Sequence, residues 1–331
     1  MSDLPSLSGL DEAAAIVYAA MPPTPHYRWP MLDAALGIET WVKHENHSPV
    51  GAFKARGGLV YMHRLAQRLP AVRGVIAATR GNHGQAVAFA ARRHGLASTI
   101  VVPHGNSAGK NAAMHALGAH LIEHGADFQE SREFAQAHAA REGLHMVPSC
   151  HPDTIAGAAT YWMELLRAQP GLDLVLAPIG QGSGICGAIA ARNALGLSTR
   201  IVGVVSAHAP AYRLSFLERR SIDAPAGTLL ADGLACRSPD PLSLRLVLEY
   251  ADDVIAVSDD EVAAAIRLLW SCTHNAAEGG GAAALAGALQ LRAAGRLDGL
   301  ARIGIPLTGG NIDAPLLAQV LAQASPVENP V

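Results

Sequence analysis

Short apolar runs alternate with longer alanine-rich stretches along most of this 331-residue chain. The runs that are candidates for strands lie at 40–42, 74–78, 98–102, 172–177, 200–205, 253–257 and 302–306. Near-continuous apolar runs rich in valine and isoleucine are typical of strands that are buried on both faces of a parallel sheet. The stretches between them have helical length and period, so the alternation favours an α/β fold with open parallel sheets.

The composition excludes several classes of protein. A net charge of −3 gives no general attraction to nucleic acid or to an anionic membrane, and no apolar run reaches the roughly 18 residues that span a bilayer. The N-terminal segment is acidic and lacks the basic start of a signal peptide, so we expect a cytoplasmic enzyme. The four cysteines are widely spaced, and His44 and His47 lack the spacing of a zinc protease motif. We therefore expect neither a disulfide framework nor a bound metal.

One lysine lies in an unusually apolar setting. In open parallel sheets, ligands bind at the carboxyl ends of the strands, so the loops after the strand candidates carry the functional signals. In the string Ala-Phe-Lys-Ala-Arg-Gly at 52–57, Lys54 lies between Phe53 and Ala55. A partly desolvated lysine has a lowered pKa, and its neutral amine attacks aldehydes. The alternative is a lysine whose apolar stem lies along the surface at a helix start.

The string Ala-Thr-Arg-Gly-Asn-His-Gly-Gln at 78–85 follows a strand candidate and opens an alanine-rich helix. Gly81 and Gly84 let the backbone approach a ligand, and free N–H groups at a helix start suit an anion such as a carboxylate. Asn82 has a side-chain amide that donates to oxygen. A helix-capping turn is the alternative for this string.

A second glycine-rich loop, Gly-Gln-Gly-Ser-Gly at 180–184, also joins a strand candidate to a helix. Such a loop presents a nest of backbone N–H groups to a phosphate. It lacks the Lys-Ser/Thr that ends a P-loop, and no acidic residue typical of dinucleotide binding follows at the right distance. This combination favours a small phosphorylated cofactor.

The last strand candidate is followed by Pro-Leu-Thr-Gly-Gly-Asn at 306–311. Here Thr308 presents a hydroxyl in a turn whose glycines prevent crowding. Taken in isolation, a plain turn explains this string equally well.

In this order, the four strings resemble the fold type II family of pyridoxal 5′-phosphate (PLP) enzymes, in its serine/threonine dehydratase and serine racemase branch. That family has Ser/Ala-Phe-Lys-x-Arg-Gly, then Ser-x-Gly-Asn-His-Gly/Ala-Gln, then a glycine-rich phosphate loop, then Ser-Gly-Gly-Asn. Weaker matches surround Lys110 and lie at 231–233 and 277–286. The resemblance implies a tryptophan synthase β-like fold, with two open, twisted parallel sheets and helices on both faces. It also implies a large PLP-binding domain of residues 1–72 and 151–331, a small domain of residues 73–150 that closes over substrate, and a homodimer.

The resemblance also assigns roles. Lys54 would carry PLP as an imine and then act as the base that removes the α-proton. Asn82 would donate to the cofactor's 3′-oxygen, and Thr308 would face its pyridine nitrogen. The implied PLP-binding residues are Phe53, Lys54, Asn82, Gly180, Gln181, Gly182, Ser183, Gly184, Glu278 and Thr308. The implied substrate-binding residues are Thr79, Arg80, Gly81, Asn82 and His83.

The implied activity is that of an ammonia-lyase, which converts a β-hydroxy amino acid of the threonine/serine type to a 2-oxo acid and ammonia. A hydroxyl at Thr308 does not stabilise a pyridinium as a carboxylate would, which favours elimination over transamination. Arg80 stands where serine racemase has a serine base, and arginine is a poor base. Its guanidinium instead suits a carboxylate on the substrate side chain, as in 3-hydroxyaspartate.

Several alternatives stay open. One alternative is a dehydratase specific for 3-hydroxyaspartate or phenylserine. Another is an amino-acid racemase. A β-replacement enzyme of the cysteine synthase type is a further candidate, although His83 occupies a position where those enzymes have threonine. A non-catalytic nucleotide-binding protein with a Rossmann-like sheet would explain the glycine loops, but it would leave Lys54 unexplained.

Overall fold

The computed structural model describes residues 4–323. The helices are α1 (Leu7–Tyr18), α2 (Pro30–Leu36), α3 (Lys54–Arg68), α4 (Asn82–Arg93), α5 (Ala108–Ala116), α6 (Phe128–Glu142), α7 (Pro152–Ala168), α8 (Ser183–Ala194), α9 (Ala211–Glu218), α10 (Pro241–Tyr250), α11 (Asp259–Thr273), α12 (Gly279–Ala293) and α13 (Ala314–Ala322). The strands are β1 (His26–Arg28), β2 (Glu39–His44), β3 (Gly74–Ala78), β4 (Ala97–Val102), β5 (His120–Glu123), β6 (His145–Met146), β7 (Leu174–Pro178), β8 (Arg200–Ser206), β9 (Asp253–Val257) and β10 (Arg302–Leu307).

These strands form two sheets. The larger sheet has the order β1-β2-β10-β7-β8-β9, and the smaller has the order β5-β4-β3-β6. Neighbouring strands are parallel throughout, except that β1 pairs antiparallel with β2 at one edge. The predicted α/β class with two open, mostly parallel sheets is confirmed.

The strands that the sequence did not predict all lie at sheet edges. They are β1, β5 and β6, and their side chains are partly or fully exposed. An edge strand with one face in water does not need a continuous apolar run, so its sequence resembles a loop. The predicted buried strands are all present. At the start of α11, Ser258 and Glu261 form a capping box in which Ser258 Oγ accepts from Glu261 N at 3.2 Å.

The parallel strands position the loops that carry the motifs. Strands β7 and β10 are adjacent and parallel, so the loops that begin at Ile179 and Thr308 emerge from the same edge of the large sheet. Strand β3 of the small sheet ends at Ala78, and the loop at 79–81 leads from it into α4. Segments more than 200 residues apart in sequence therefore meet in one cleft.

The two sheets correspond to separate parts of the chain. The small sheet uses strands between residues 74 and 146, and the large sheet uses strands on either side of that segment. One apolar cluster nevertheless contains residues of both parts, such as Val87 of α4 and Ile189 of α8. The domain limits at 72/73 and 150/151 stay a prediction.

A buried ion cluster holds the first turn of α3 in place. Arg56 is fully buried and its guanidinium donates to Glu45 Oε2 at 2.8 Å and to Glu164 Oε2 at 3.0 Å. Lys43 adds a second buried cation, which donates to Thr24 Oγ1 at 2.6 Å and pairs with Glu164. The cluster ties α3 to β2 and α7. Since Lys54 is the first residue of α3, the cluster also fixes the backbone that carries it.

We expect Arg56→Met to lower the free energy of unfolding by about 3–5 kcal/mol, because it leaves buried carboxylates without their main partner. Arg167→Met is the matched control. Arg167 pairs with Asp11 at 2.7 Å, but both side chains are about half exposed, and such pairs contribute less than about 1 kcal/mol. Urea denaturation of the two variants measures the difference. Equal losses of stability would contradict the structural role of the cluster.

Candidate active site

One cleft between the two sheets brings together all the site residues that the sequence predicted. Its empty volume is about 890 Å³, including the space at its open mouth. The predicted residues that line it are Phe53, Lys54, Thr79, Arg80, Gly81, Asn82, His83, Gly180, Gln181, Gly182, Ser183, Gly184, Glu278 and Thr308. The structure therefore unites the four strings, and the separate role of each residue stays a prediction.

Lys54 is partly buried at the floor of this cleft. Its Nζ donates to Ser183 Oγ at 2.9 Å and lies 4.8 Å from the centre of the Phe53 ring. Burial lowers the pKa of Lys54 to about 8, and no carboxylate is among the groups that act on it. At neutral to mildly alkaline pH a useful fraction of this amine is therefore unprotonated, as attack on an aldehyde requires.

The sequence contains three lysines, and the other two are paired with carboxylates. Lys43 belongs to the buried cluster with Glu164. Lys110 of α5 lies in the cleft, with its Nζ 2.7 Å from Asp232 Oδ2 and 3.2 Å from Glu278 Oε2. Burial acts to lower the pKa of Lys110, but the charges of Glu278 and Asp232 more than offset it, so the net shift is upward. Lys54 is thus the lysine whose environment suits a nucleophile.

The glycine loop at 180–184 has the geometry of an anion-binding nest. Gly182 has a φ of +93° and caps α8, so its backbone lies in the left-handed region that favours glycine. A Cβ at this position would also collide with Ser243. The loop leads directly into the N-terminus of α8, where unpaired N–H groups and the helix dipole attract a phosphate.

The loop at 79–83 is braced from both sides. Thr79 Oγ1 accepts from Gly81 N at 2.8 Å, which holds the turn, and a Cβ on Gly81 would collide with the side chain of Lys110. Asn82 donates to Glu278 Oε1, and its own Oδ1 accepts from Asn311 Nδ2 at 2.8 Å. These hydrogen bonds pre-organise the loop before any ligand binds. Burial also raises the pKa of Glu278, the carboxyl group that accepts from Asn82.

His83 lies next to Lys54 in the same cleft. Burial lowers the pKa of His83 to about 4, and the charge of Lys54 acts in the same direction. Its imidazole is therefore neutral at pH 7 and adds no positive charge beside the amine.

Thr308 connects the cleft to the segment that carries Lys54. Its Oγ1 donates to Gly280 O at 3.1 Å, and its carbonyl accepts from Phe53 N at 2.9 Å. The group that it presents is a hydroxyl, as the sequence predicted.

Three residues of the site were not assigned a role from the sequence. Lys110 and Asp232 lie in the weaker matches around Lys110 and at 231–233, and Asn311 ends the fourth string. Those matches were the signal in the sequence that pointed to these residues. Lys110 and Asp232 form an ion pair across the cleft, and Asn311 supports Asn82. Both contacts join distant segments, and a single sequence does not display such contacts.

These residues fit PLP. The cleft contains an amine of lowered pKa, a phosphate nest at a helix N-terminus and a hydroxyl at Thr308. The described residues contain no cluster of three or more histidine, cysteine, aspartate or glutamate side chains that could hold a metal ion. In that same part of the chain no helix is long and apolar enough to cross a membrane.

The family model named "Pyridoxal-phosphate dependent enzyme" matches residues 17–309. The chain belongs to this family. The predicted family and its cofactor, PLP, are thereby confirmed.

Curated relatives cover most of the chain. An L-threonine ammonia-lyase of Thermotoga maritima is 32% identical over 88% of this chain and 72% of that protein. The biosynthetic L-threonine dehydratase of Escherichia coli is 33% identical over 95% of this chain, which spans 62% of that longer protein. An L-threo-3-hydroxyaspartate ammonia-lyase of Saccharomyces cerevisiae is 31% identical over 88% of this chain and 89% of that protein. The comparisons support the predicted PLP-dependent dehydratase function.

Among solved structures, maize serine racemase superposes with a TM-score of 0.89 at 28% identity, and 96% of each chain is covered. The processed form of threonine deaminase isoform 2 from Solanum lycopersicum superposes with a TM-score of 0.86 at 27% identity, over 98% of this chain and 96% of that one. The fold type II architecture is therefore shared over nearly the whole chain.

The charge of Lys54 should destabilise the cofactor-free protein. The ordinary pKa of this lysine is 10.5, and folding lowers it to about 8. Between these pH values Lys54 is protonated in the unfolded chain but largely neutral in the folded one, so the free energy of unfolding rises with pH. Below about pH 8 the folded protein carries the buried charge, and the full destabilisation remains. We expect Lys54→Met to raise the melting temperature at pH 7, with a gain that shrinks as the pH rises towards about 10.5.

Lys110→Met is the matched control, because it removes a cation from the same cleft. It should lower the melting temperature at pH 7, since Asp232 and Glu278 lose their partner. Thermal denaturation without PLP measures both effects. A fall of equal size in both variants would show that Lys54 is not held in an unfavourable environment.

Proposed function

We propose that this protein is a PLP-dependent ammonia-lyase that converts a β-hydroxy amino acid to a 2-oxo acid and ammonia, with Lys54 as its catalytic base. The observation that carries the proposal is the position of Lys54 in the cleft formed by the phosphate nest and the loop at 79–83, where no carboxylate of residues 4–323 pairs with it. The ammonia-lyases and dehydratases among its relatives support the same reaction class.

PLP, when bound, supplies the electron sink that makes the α-proton of an amino acid acidic. The N–H groups of the loop at 180–184 would bind its phosphate, and Lys54 would hold its aldehyde carbon. Asn82 would hydrogen-bond its 3′-oxygen, and Thr308 would lie opposite its pyridine nitrogen. Phe53 and Glu278 would complete the walls.

The reaction then needs one proton acceptor and one clamp for the substrate. Lys54 Nζ, once released by the substrate, takes the α-proton, and Ser183 Oγ at 2.9 Å orients the amine by accepting a hydrogen bond. The loop from Thr79 to His83 would hold the substrate carboxylate at the start of α4. Loss of the β-hydroxyl as water gives an unsaturated amine, which adds water and releases ammonia.

Two residues of the cleft favour this outcome over the alternatives. The hydroxyl of Thr308 would not hold a proton on the pyridine nitrogen of PLP as a carboxylate would, which would favour elimination over transamination. Racemisation needs a second acid/base group on the face of the substrate opposite Lys54. Arg80, on the loop at 79–83, is a poor base and does not supply that group. The first feature disfavours transamination, and the second disfavours racemisation.

The remaining expectations stay proposals. The four cysteines are free and buried in the structure, which supports a reducing compartment such as the cytoplasm. A homodimer is proposed from family resemblance, and light scattering of the purified protein measures it. Closure of the small domain over substrate would exclude water from the reacting carbon.

The decisive experiment locates the cofactor and the activity together. We expect the wild type with PLP to absorb near roughly 410–420 nm, as imines of PLP do, and to release 2-oxo acid from at least one of serine, threonine, 3-hydroxyaspartate and phenylserine. Lys54→Ala should lose both signals. Borohydride reduction followed by peptide mapping should place the label on Lys54.

The sequence provides its own control, since the other candidate amines are Lys43, Lys110 and the chain terminus. A label on any of these, or none, would overturn the assignment of Lys54. A wild type that carries the label on Lys54 but releases no 2-oxo acid from any of the four substrates would overturn the ammonia-lyase reaction alone.

A further inference from the structure

A side cavity with an excess of positive charge opens from the main cleft. It has an empty volume of about 440 Å³ and shares Arg80, Phe128, Gln181 and Ala235 with the cleft that contains Lys54. Three arginines line it, namely Arg80, Arg132 and Arg237, against a single carboxylate, Asp127. Arg80 therefore lines both the main cleft and the side cavity.

The single carboxylate is already engaged. Asp127 Oδ2 accepts from Arg237 at 3.0 Å, and Asp127 Oδ1 caps α6 by accepting from Glu130 N at 3.0 Å. Within residues 4–323, neither Arg80 nor Arg132 forms an ion pair with a carboxylate. Two cationic side chains of this cavity are therefore available to a ligand.

Arg80 is the more constrained of the two. Arg132 is exposed, where an unpaired arginine is unremarkable, but the Nε of Arg80 is buried and has no hydrogen-bond partner. A buried donor of a charged group without an acceptor is costly, so this position favours binding of a partner such as an anionic ligand, an ion or a water. The backbone of Arg80 lies in the loop that would hold the substrate carboxylate, which places its side chain beside the reacting amino acid.

We propose that the substrate carries a second carboxylate on its side chain, bound by Arg80, with 3-hydroxyaspartate as the smallest member of the class. The inference rests on the proposed ammonia-lyase function. A guanidinium binds a carboxylate through two parallel hydrogen bonds, so Arg80 determines specificity by pairing with the γ-carboxylate. Arg132 supplies a second, more exposed positive charge further into the side cavity.

The kinetic test compares two substrates that differ at one group. Threonine and 3-hydroxyaspartate share the β-hydroxyl, and a methyl in one replaces a carboxylate in the other. We expect the wild type to have the higher kcat/KM for 3-hydroxyaspartate. Arg80→Gln should lower that value about 10- to 100-fold, as expected for a lost charge-assisted pair, and should lower the ratio of kcat/KM for 3-hydroxyaspartate to kcat/KM for threonine by a similar factor.

Two further variants separate charge from structure. Arg80→Lys keeps the positive charge without the fork of donors and should restore part of the preference. Arg141→Gln is the matched control on α6, since Arg141 is exposed and pairs with its neighbour Glu142. It should leave the ratio of the two kcat/KM values unchanged.

A binding measurement serves as a readout independent of turnover. Aspartate and alanine lack the β-hydroxyl, so neither can undergo the elimination, and they differ in the side-chain carboxylate. In the wild type with PLP, aspartate should raise the melting temperature more than alanine at equal concentration, and Arg80→Gln should abolish the difference.

Each outcome decides the matter. A wild type that prefers threonine or phenylserine, or an Arg80→Gln variant that loses activity equally on both substrates, would overturn the inference; equal loss would mean that Arg80 binds the α-carboxylate. Such results would leave the ammonia-lyase reaction intact. If no substrate yields a 2-oxo acid, that reaction is wrong, and the comparison of aspartate with alanine then decides by itself whether Arg80 binds a side-chain carboxylate.

Discussion

Lys54 has a hydroxyl and an aromatic ring beside its amine, and in the part of the chain that the structure describes no carboxylate pairs with it. This arrangement depends on how the fold distributes its negative charges. Glu45 and Glu164 neutralise Arg56 and Lys43 under the first turn of α3, while Asp232 and Glu278 neutralise Lys110 at the cleft wall. Because those carboxylates are engaged elsewhere, burial is the main influence on the pKa of Lys54 and lowers it to about 8.

Rigid positioning accompanies this electrostatic arrangement. The amine belongs to the first residue of a helix whose first turn is anchored by Arg56. Its hydrogen-bond partner, Ser183, begins another helix after the glycine turn that follows β7. Lys54 and Ser183 thus both lie at helix starts, which position site residues more precisely than free loops do.

The sequence predicted the parts of this structure that depend on local patterns. Continuous apolar runs revealed the buried strands, and the glycines at 180–184 and the Asn-His string at 82–83 revealed the loops at their ends. The edge strands β1, β5 and β6 were missed because they are short and lack a continuous buried apolar run. Ser183 was assigned to the phosphate loop, yet it also contacts Lys54. Such pairings join segments far apart in the chain, and the spacing of residues in one sequence carries no record of them.

The small number of lysines has a practical consequence for chemical labelling. Lys43 is fully buried, and Lys110 is held as a cation between two carboxylates, so neither presents a free amine to a reagent. Lys54 lines an open cleft and has a lowered pKa. An acylating or aldehyde probe applied near neutral pH to the cofactor-free protein therefore encounters one reactive lysine side chain, which allows a spectroscopic reporter to be attached in the cleft without engineering a cysteine.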